Sequence, residues 1–169
     1  LTVVAAAVVH GVRRYPRVNA RWEDRADGGA DIVVADRLHL GFAADTPRGL
    51  MVPNVKDAHE LSLSALSARL TQLTEKAKAG TLAPADLTGG TLTITNIGVF
   101  GVDGGTPILN PGESAILAMG RAMQRPWVVD GALAVRTVMT LALSCDHRVM
   151  DGALASRFLA DVARVLEDP

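Results

Sequence analysis

The chain has one cysteine, Cys145, so no internal disulfide can staple it. Stability is left to a buried core, and the compartment is expected to be reducing. His10, His39, His59, His147 and Cys145 show no zinc-like spacing, so no metal site is expected. Aromatic residues make up only 4% of the sequence. The core is therefore expected to be Val, Leu, Ile and Ala, with few stacking platforms for sugars or single-stranded nucleic acid. Charge of one sign is also lacking: 17 Lys+Arg against 18 Asp+Glu leave a net charge of -1. A nucleic-acid-binding domain usually carries a clear basic excess. The apolar run Leu1–Val9 ends at His10, far short of the roughly 20 residues of a bilayer span. No basic segment precedes it, so a signal peptide is not expected. No G-x-G-x-x-G follows a strand and no G-x-x-x-x-G-K-[ST] occurs, so the glycines mark neither a dinucleotide site nor a P-loop.

What remains is a globular composition, 49% hydrophobic and 21% charged over 169 residues. Such a chain suits one domain that buries roughly 68–70% of its unfolded surface. Because the apolar run opens at residue 1 with no polar lead-in or cap, the chain is expected to begin inside a longer domain.

Leu1–Tyr15 reads as a helix ended by Pro16, with Arg13 and Arg14 suited to its C-terminal dipole. Ile32–Val34 and Leu38–Ala43 read as strands separated by a turn near Asp36-Arg37, and Gly49–Val55 as a short extended run closed at Pro53. Leu63, Leu66, Leu70, Leu73 and Ala77 recur at spacings of 3 and 4, an amphipathic helix stopped by Gly80. The stripe is too short for a coiled coil and predicts a helix lying on a sheet. Thr91–Ile97 is β-branched and alternating, hence a strand. Val99–Gly112 is a glycine-rich loop. Glu113–Met119 and Ala132–Cys145 read as strands, the second long, apolar and therefore central. Asp151 is placed to cap a final helix, Gly152–Leu166. This order implies an α/β or α+β layered fold.

The chemistry concentrates in Ser144-Cys145-Asp146-His147-Arg148-Val149-Met150-Asp151-Gly152. An apolar strand delivers a histidine to its end, and an aspartate four residues later opens a helix. Sites of α/β proteins tend to lie at such strand ends, and neutral imidazole suits proton transfer near pH 7. His147 can equally be read as a turn histidine satisfied by its neighbours, and Asp151 as a helix cap alone. Cys145 reads as a buried strand cysteine.

Taken in order, several segments resemble the catalytic core domain of the dihydrolipoamide acyltransferases, the acyl-transferring components of 2-oxo acid dehydrogenase complexes. The H-x-x-x-D-G signature stands at His147–Gly152, T-I-S-N-x-G at Thr93–Gly98 and N-P-x-E-x-A-I-L at Asn110–Leu117. D-T-P-R-G-L-x-V-P stands at Asp45–Pro53, and R-R-Y-P-x-x-N-A at Arg13–Ala20. The resemblance runs over essentially the whole chain. It implies an α/β fold of the chloramphenicol-acetyltransferase-like kind, a two-layer sandwich with a mixed sheet covered by helices. Residues 1–169 would be the catalytic domain, incomplete at its N-terminus, with the lipoyl and peripheral-subunit-binding domains elsewhere.

The resemblance also implies acyl transfer between an S-acyldihydrolipoyl group and coenzyme A. It makes His147 the base for the thiol and gives the oxyanion donor to Thr95, where the family has a serine. Asp151 would fix the site through an arginine whose family position precedes Leu1, with Arg148, Arg136 and Arg121 as local alternatives. Coenzyme A contacts fall on Asp45, Thr95, Asn96 and Gly120. Val52-Pro53-Asn54-Val55-Lys56 is similar to the branched-chain branch. The implied assembly is a homotrimer with His147 of one chain near Thr95 of the next, building cubic or dodecahedral cores. Its implied partners are a 2-oxo acid decarboxylase and a dihydrolipoamide dehydrogenase, in a bacterial cytoplasm or mitochondrial matrix, with no nucleic acid or membrane involved. A chloramphenicol acetyltransferase relative and a non-catalytic core scaffold are the alternatives. The motifs outside H-x-x-x-D-G count against the first, and the presence of His147 against the second.

Overall fold

The computed structural model describes residues 1–168. Along the chain run α1 (Thr2–Arg14), the paired strands β1 (Ala20–Asp24) and β2 (Ala30–Val34), and the short strands β3 (Leu40–Phe42), β4 (Ala44–Thr46), β5 (Gly49–Met51) and β6 (Asn54–Val55). Then come α2 (Leu63–Ala79), the single turn α3 (Pro84–Leu87), β7 (Leu92–Asn96), β8 (Ala115–Met119), β9 (Met123–Val129), β10 (Ala132–Val138), β11 (Leu141–Cys145) and α4 (Gly152–Glu167).

The main sheet has five strands in the order β11-β8-β7-β3-β6. β7 runs parallel to β3 and β8, while β6 and β11 are antiparallel edges. Alternation along the strands sorts its two faces. Leu40, Phe42, Val55, Leu92, Ile94, Ala115, Leu117 and Met119 share one core with the buried residues of α1, α2 and α4. The other face carries small or polar groups such as Gly41, Thr93, Thr95 and Ala118. The loop 99–112 reaches this face, where Asn110 donates to the Thr93 hydroxyl at 2.9 Å.

The helices stop where their sequences say they should. Ser62 caps α2 by accepting from the Ala65 N–H, and Gly80 closes it at φ 69°, a left-handed conformation that suits glycine. Leu66, Leu70, Leu73 and Ala77 are buried as the stripe predicts, while Leu63 at the start is exposed. Asp151 caps α4 by accepting from the Leu154 N–H at 2.8 Å. α1 approaches α4 closely at Gly11, where a Cβ would stand 2.7 Å from Cε2 of the fully buried Phe158.

Three expectations need correction. Ala132–Cys145 is two strands divided at Met139-Thr140, and neither is central. β10 pairs only with β9 in a separate two-stranded hairpin, and β11 is an edge of the main sheet. Apolarity misled here because Leu133 and Val135 are 80% and 69% exposed rather than buried in a sheet. Second, the strands expected at Ile32–Val34 and Leu38–Ala43 belong to different sheets and do not pair with each other. β2 turns back onto β1, which the charged stretch Ala20–Asp24 concealed, and β3 enters the main sheet. Third, Glu113 and Ser114 precede β8 in a turn in which the Ser114 hydroxyl donates to the Ala20 carbonyl at 2.5 Å. Among the described residues, no helix is long and apolar enough to cross a membrane.

Candidate active site

β11 ends at Cys145, and the chain turns at once. The Asp146 carbonyl accepts from the N–H groups of Val149 and Met150 at 2.9 and 3.1 Å. The Asp146 carboxylate accepts from the Arg148 N–H at 3.0 Å and from Arg148 Nε and Nη2 at 3.0 and 2.7 Å. His147 is therefore displayed, exposed, at the apex of a closed turn. Among the described residues no hydrogen bond holds its ring, which does not fit a turn histidine satisfied by its neighbours. The hydrogen bond from Arg148 keeps the Asp146 carboxyl below the usual carboxylate range, against the opposing effect of burial. Burial pushes the Cys145 thiol up, and the Asp146 charge adds to it. This cysteine faces the helix-covered core and is not poised as a nucleophile.

His147 and Asp151 line one open cavity of about 290 Å³ together with Arg17, Arg148, Leu154 and Arg157. The arginines expected beside Asp151 are engaged or placed elsewhere. Arg148 holds Asp146, Arg121 holds Asp103 at 2.8 Å, and Arg136 lies on β10 opposite Arg125. Besides Arg148, Arg17 and Arg157 share the cavity with Asp151, and no spacing in the sequence marked them.

Thr95 and Asn96 end β7 and line a different cavity of about 370 Å³ with Asp45, Phe42, Val99 and Phe100. Asp45 reaches it because the turn Pro47-Arg48 folds β4 and β5 into a hairpin. Asn96 accepts from the Gly98 N–H at 3.1 Å, which starts the glycine-rich loop. Lys78, at the end of α2, joins this cavity and was also not foreseen. Gly120 is not on its surface. It is buried, and a Cβ there would lie 2.0 Å from the Asp103 carbonyl oxygen. Its place is under the loop, where only a hydrogen fits.

The two cavities share no residue, and the sheet explains why. Thr95 pairs with Ala118, which pairs with Ala142. Since β7 is parallel and β11 antiparallel to β8, the two strands end at opposite edges of the sheet. Cys145 lies three residues past Ala142, so it is about 10 Å along the sheet and two strands, about 10 Å, across from Thr95. That places Thr95 about 14 Å from the end of β11, before the turn begins. Within one chain Thr95 and His147 line separate cavities.

Comparison with known proteins agrees with this architecture. Over 163 residues the chain is 43% identical to the dihydrolipoyllysine-residue succinyltransferase component of the Haemophilus influenzae 2-oxoglutarate dehydrogenase complex, covering 96% of this chain and 39% of that protein. It is 41% identical over 169 residues to the acetyltransferase component of the Mycoplasma capricolum pyruvate dehydrogenase complex, covering 100% of this chain and 38% of that protein. The chain thus spans about two fifths of these relatives. Among solved structures, Azotobacter vinelandii dihydrolipoamide acetyltransferase, studied for a serine, a histidine and an asparagine in its catalytic mechanism, superposes with a TM-score of 0.87 at 35% identity, covering 99% and 67% of the two chains. The cubic core of a pyruvate dehydrogenase multienzyme complex matches equally, at 0.87, 36%, 99% and 67%. A chloramphenicol acetyltransferase shares the fold at 16% identity and a TM-score of 0.56, covering 98% and 76%. The model of the 2-oxoacid dehydrogenases acyltransferase catalytic domain matches residues 1–169, and the chain belongs to that family.

Proposed function

We propose that this chain transfers an acyl group between an S-acyldihydrolipoyl group and coenzyme A within a 2-oxo acid dehydrogenase complex. The observation that carries this is His147, exposed at a strand end beside a helix start, in a chain whose every residue falls in the acyltransferase family. The serine and histidine studied in the Azotobacter vinelandii enzyme lie 52 positions apart in sequence, as Thr95 and His147 do. Its asparagine lies four beyond the histidine, where this chain has Asp151. Asn and Asp cap helices about equally well, so the hydrogen bond from Leu154 to Asp151 is compatible with either residue.

The reaction needs a thiolate. Neutral His147 takes the thiol proton, and the gap between thiol and imidazole pKa values, about two units, costs roughly 2.7 kcal/mol. The thiolate attacks the thioester carbonyl carbon, and the Thr95 hydroxyl donates to the resulting oxyanion. Collapse of the intermediate expels the second sulfur, which recovers the proton from His147. Asp45 and Asn96, with Thr95, line the cavity assigned to coenzyme A, and Gly120 packs the loop behind it.

Because Thr95 and His147 lie at opposite ends of the sheet, a complete site takes Thr95 from one copy and His147 from another. A second feature supports self-association. Val128, Leu133 and Val135 share one exposed face of the β9–β10 hairpin, which extends from the Thr95 end of the sheet. A bare two-stranded hairpin is at best marginal in water. The assembly proposed is a homotrimer that builds a larger core, in a bacterial cytoplasm. The lipoyl group, and contacts to the decarboxylase and dihydrolipoamide dehydrogenase, would reside on domains that this sequence does not include. For the acyl group, the likeness at Val52–Lys56 favours a branched chain, and Phe42, Leu50, Val99 and Phe100 give the Thr95 cavity a largely apolar wall.

The test is acyl transfer by the full-length protein with acetyl-, succinyl- and branched-chain acyl-CoA and dihydrolipoamide as acceptor, with chloramphenicol in a parallel arm. Transfer to dihydrolipoamide that disappears in His147→Ala is expected, fastest with the branched chain. No transfer by folded protein would mean a scaffold.

A further inference from the structure

A base displayed at the apex of a turn is only as well placed as the turn. The turn 146–149 is held from outside at two places: the Asp146 N–H donates to the Ser114 carbonyl at 2.9 Å, and residues 16–24 pack against its other members. Arg17 Nε donates to the Val149 carbonyl at 2.8 Å. Three residues after Asn19, Trp22 on β1 presents its indole to Arg148, whose Cζ lies 4.9 Å from the ring centroid. The same guanidinium grips the Asp146 carboxylate through Nε and Nη2. Asp146 and Arg148 flank His147 directly, so these two side chains and the indole form a stack that closes the base of the turn. The indole is itself oriented: its Nε1 donates to Asp24 at 2.9 Å, and β1 is fixed by pairing Trp22 with Ile32. The Ser114 hydroxyl anchors the start of β1 through the Ala20 carbonyl.

We infer that Trp22 is a positioning residue for His147, acting through Arg148. The inference rests on His147 being the base. Arg148 is more than half exposed, so without the ring its pairing with Asp146 and the nearby Asp24 charge are left to restrain it. With the Asp146 backbone anchored on Ser114, it is the two side chains that gain freedom, and the imidazole between them samples a wider arc. Proton transfer depends on near-attack geometry, so small misplacements lower the rate. A cation over an aromatic ring at an exposed site is worth a factor of about two to five.

The experiment is steady-state kinetics of the full-length protein at 25 °C, with thermal melts on each variant. Trp22→Gln is expected to lower kcat about two- to fivefold, with KM for both substrates unchanged. Trp22→Phe keeps a ring over the cation and should restore most of the loss. Arg148→Lys keeps the charge but not the fork that spans the carboxylate, and should also lower kcat. Adding Trp22→Gln to it should cost little more, since both act through one contact. Unchanged kcat in Trp22→Gln, a loss of equal size in Trp22→Phe, or fully additive losses in the double variant would each overturn the inference. A hairpin that is merely stabilising would lower the melting temperature and leave kcat intact. His147→Ala run alongside separates the two readings. If it retains activity, the base assignment fails; if it is inactive while Trp22→Gln is normal, only the positioning role fails.

Discussion

Mixing two inactive variants should restore activity. Thr95→Val removes the hydroxyl and keeps the side-chain shape, while His147→Ala removes the base. Losing one oxyanion donor costs about 10²–10³ in kcat, so neither variant alone should turn over appreciably. Within one chain Thr95 stands about 14 Å from the end of β11 by strand geometry, and the two side chains line separate cavities. If each site is built from the Thr95 edge of one copy and the His147 edge of the next, co-assembled variants form some sites with both groups intact. In a one-to-one mixture of freely assorting subunits, about one contact in four pairs a Thr95→Val chain supplying His147 with a His147→Ala chain supplying Thr95. The mixture should therefore reach about a quarter of wild-type kcat, roughly 25- to 250-fold above Thr95→Val alone. Co-expression with two affinity tags, tandem purification and native mass spectrometry would establish that mixed oligomers are present. Recovery no greater than the average of the separate variants, in verified mixed oligomers, would refute a site shared between copies.

Other perturbations probe single contacts. Thr95→Ser should retain most of the acyl-transfer rate, because the hydroxyl remains, whereas Thr95→Val should lose about 10²–10³; equal steady-state rates would remove Thr95 from the oxyanion role. Gly11→Ala would bring a Cβ to 2.7 Å from Phe158 and 3.3 Å from Val162. Overpacking of this kind costs about 1–3 kcal/mol, more than the roughly 1 kcal/mol of helix propensity gained, and urea denaturation should show a net loss. His39 accepts the Asp57 N–H through Nδ1 at 3.0 Å. Its pKa is lowered by burial first and by Lys56 next, against the Asp57 charge. The folded state thus binds this proton less readily than the unfolded one, so the stability is present above pH about 6.5 and is lost as pH falls through the lower folded value. Melts between pH 7.5 and 5 should show this slope in the wild type and a flatter one in His39→Gln. Leu133→Asp, on the exposed hairpin face, should lower the oligomer mass in light scattering while the secondary structure seen by circular dichroism persists.

The helices were the most legible part of the sequence because their signals are local. Asp151 caps, Gly80 stops, and Leu66, Leu70 and Leu73 repeat with the helical period. β7 was legible for the same reason, through its alternating threonines. Strands whose identity depends on a partner were not. β1 is charged along most of its length, and only pairing with β2 makes it a strand. The boundary between β10 and β11 has no glycine or proline to mark it, only Met139-Thr140. The candidate site divides in the same way. His147, Asp151, Thr95 and Asn96 stand in recognisable local patterns, and three of the four positions expected to contact coenzyme A line one cavity. Gly120 proved to be under a loop, because neither spacing nor periodicity reports what crosses over a strand end. The distance between Thr95 and His147 depends on strand direction and register, which are properties of the whole sheet.

The misreading of Ala132–Cys145 has a physical content of its own. An apolar run in a sequence records that a surface is kept from water; it does not say which surface keeps it so. For β11 the cover is intramolecular, since Leu141, Leu143 and Cys145 pack on the helix-lined core. For β10, Leu133 and Val135 stand in the open among the described residues. Isolated exposed leucines are ordinary, but Val128, Leu133 and Val135 lie on one face of a strand pair, so their apolarity is contiguous. The hairpin extends from the end of the sheet that carries Thr95, opposite the end of β11. Burial of this face against a second copy, as proposed above, would give the exposed aliphatic residues of the hairpin a cover. The contact that covers the hairpin would be continuous with the one that completes the site.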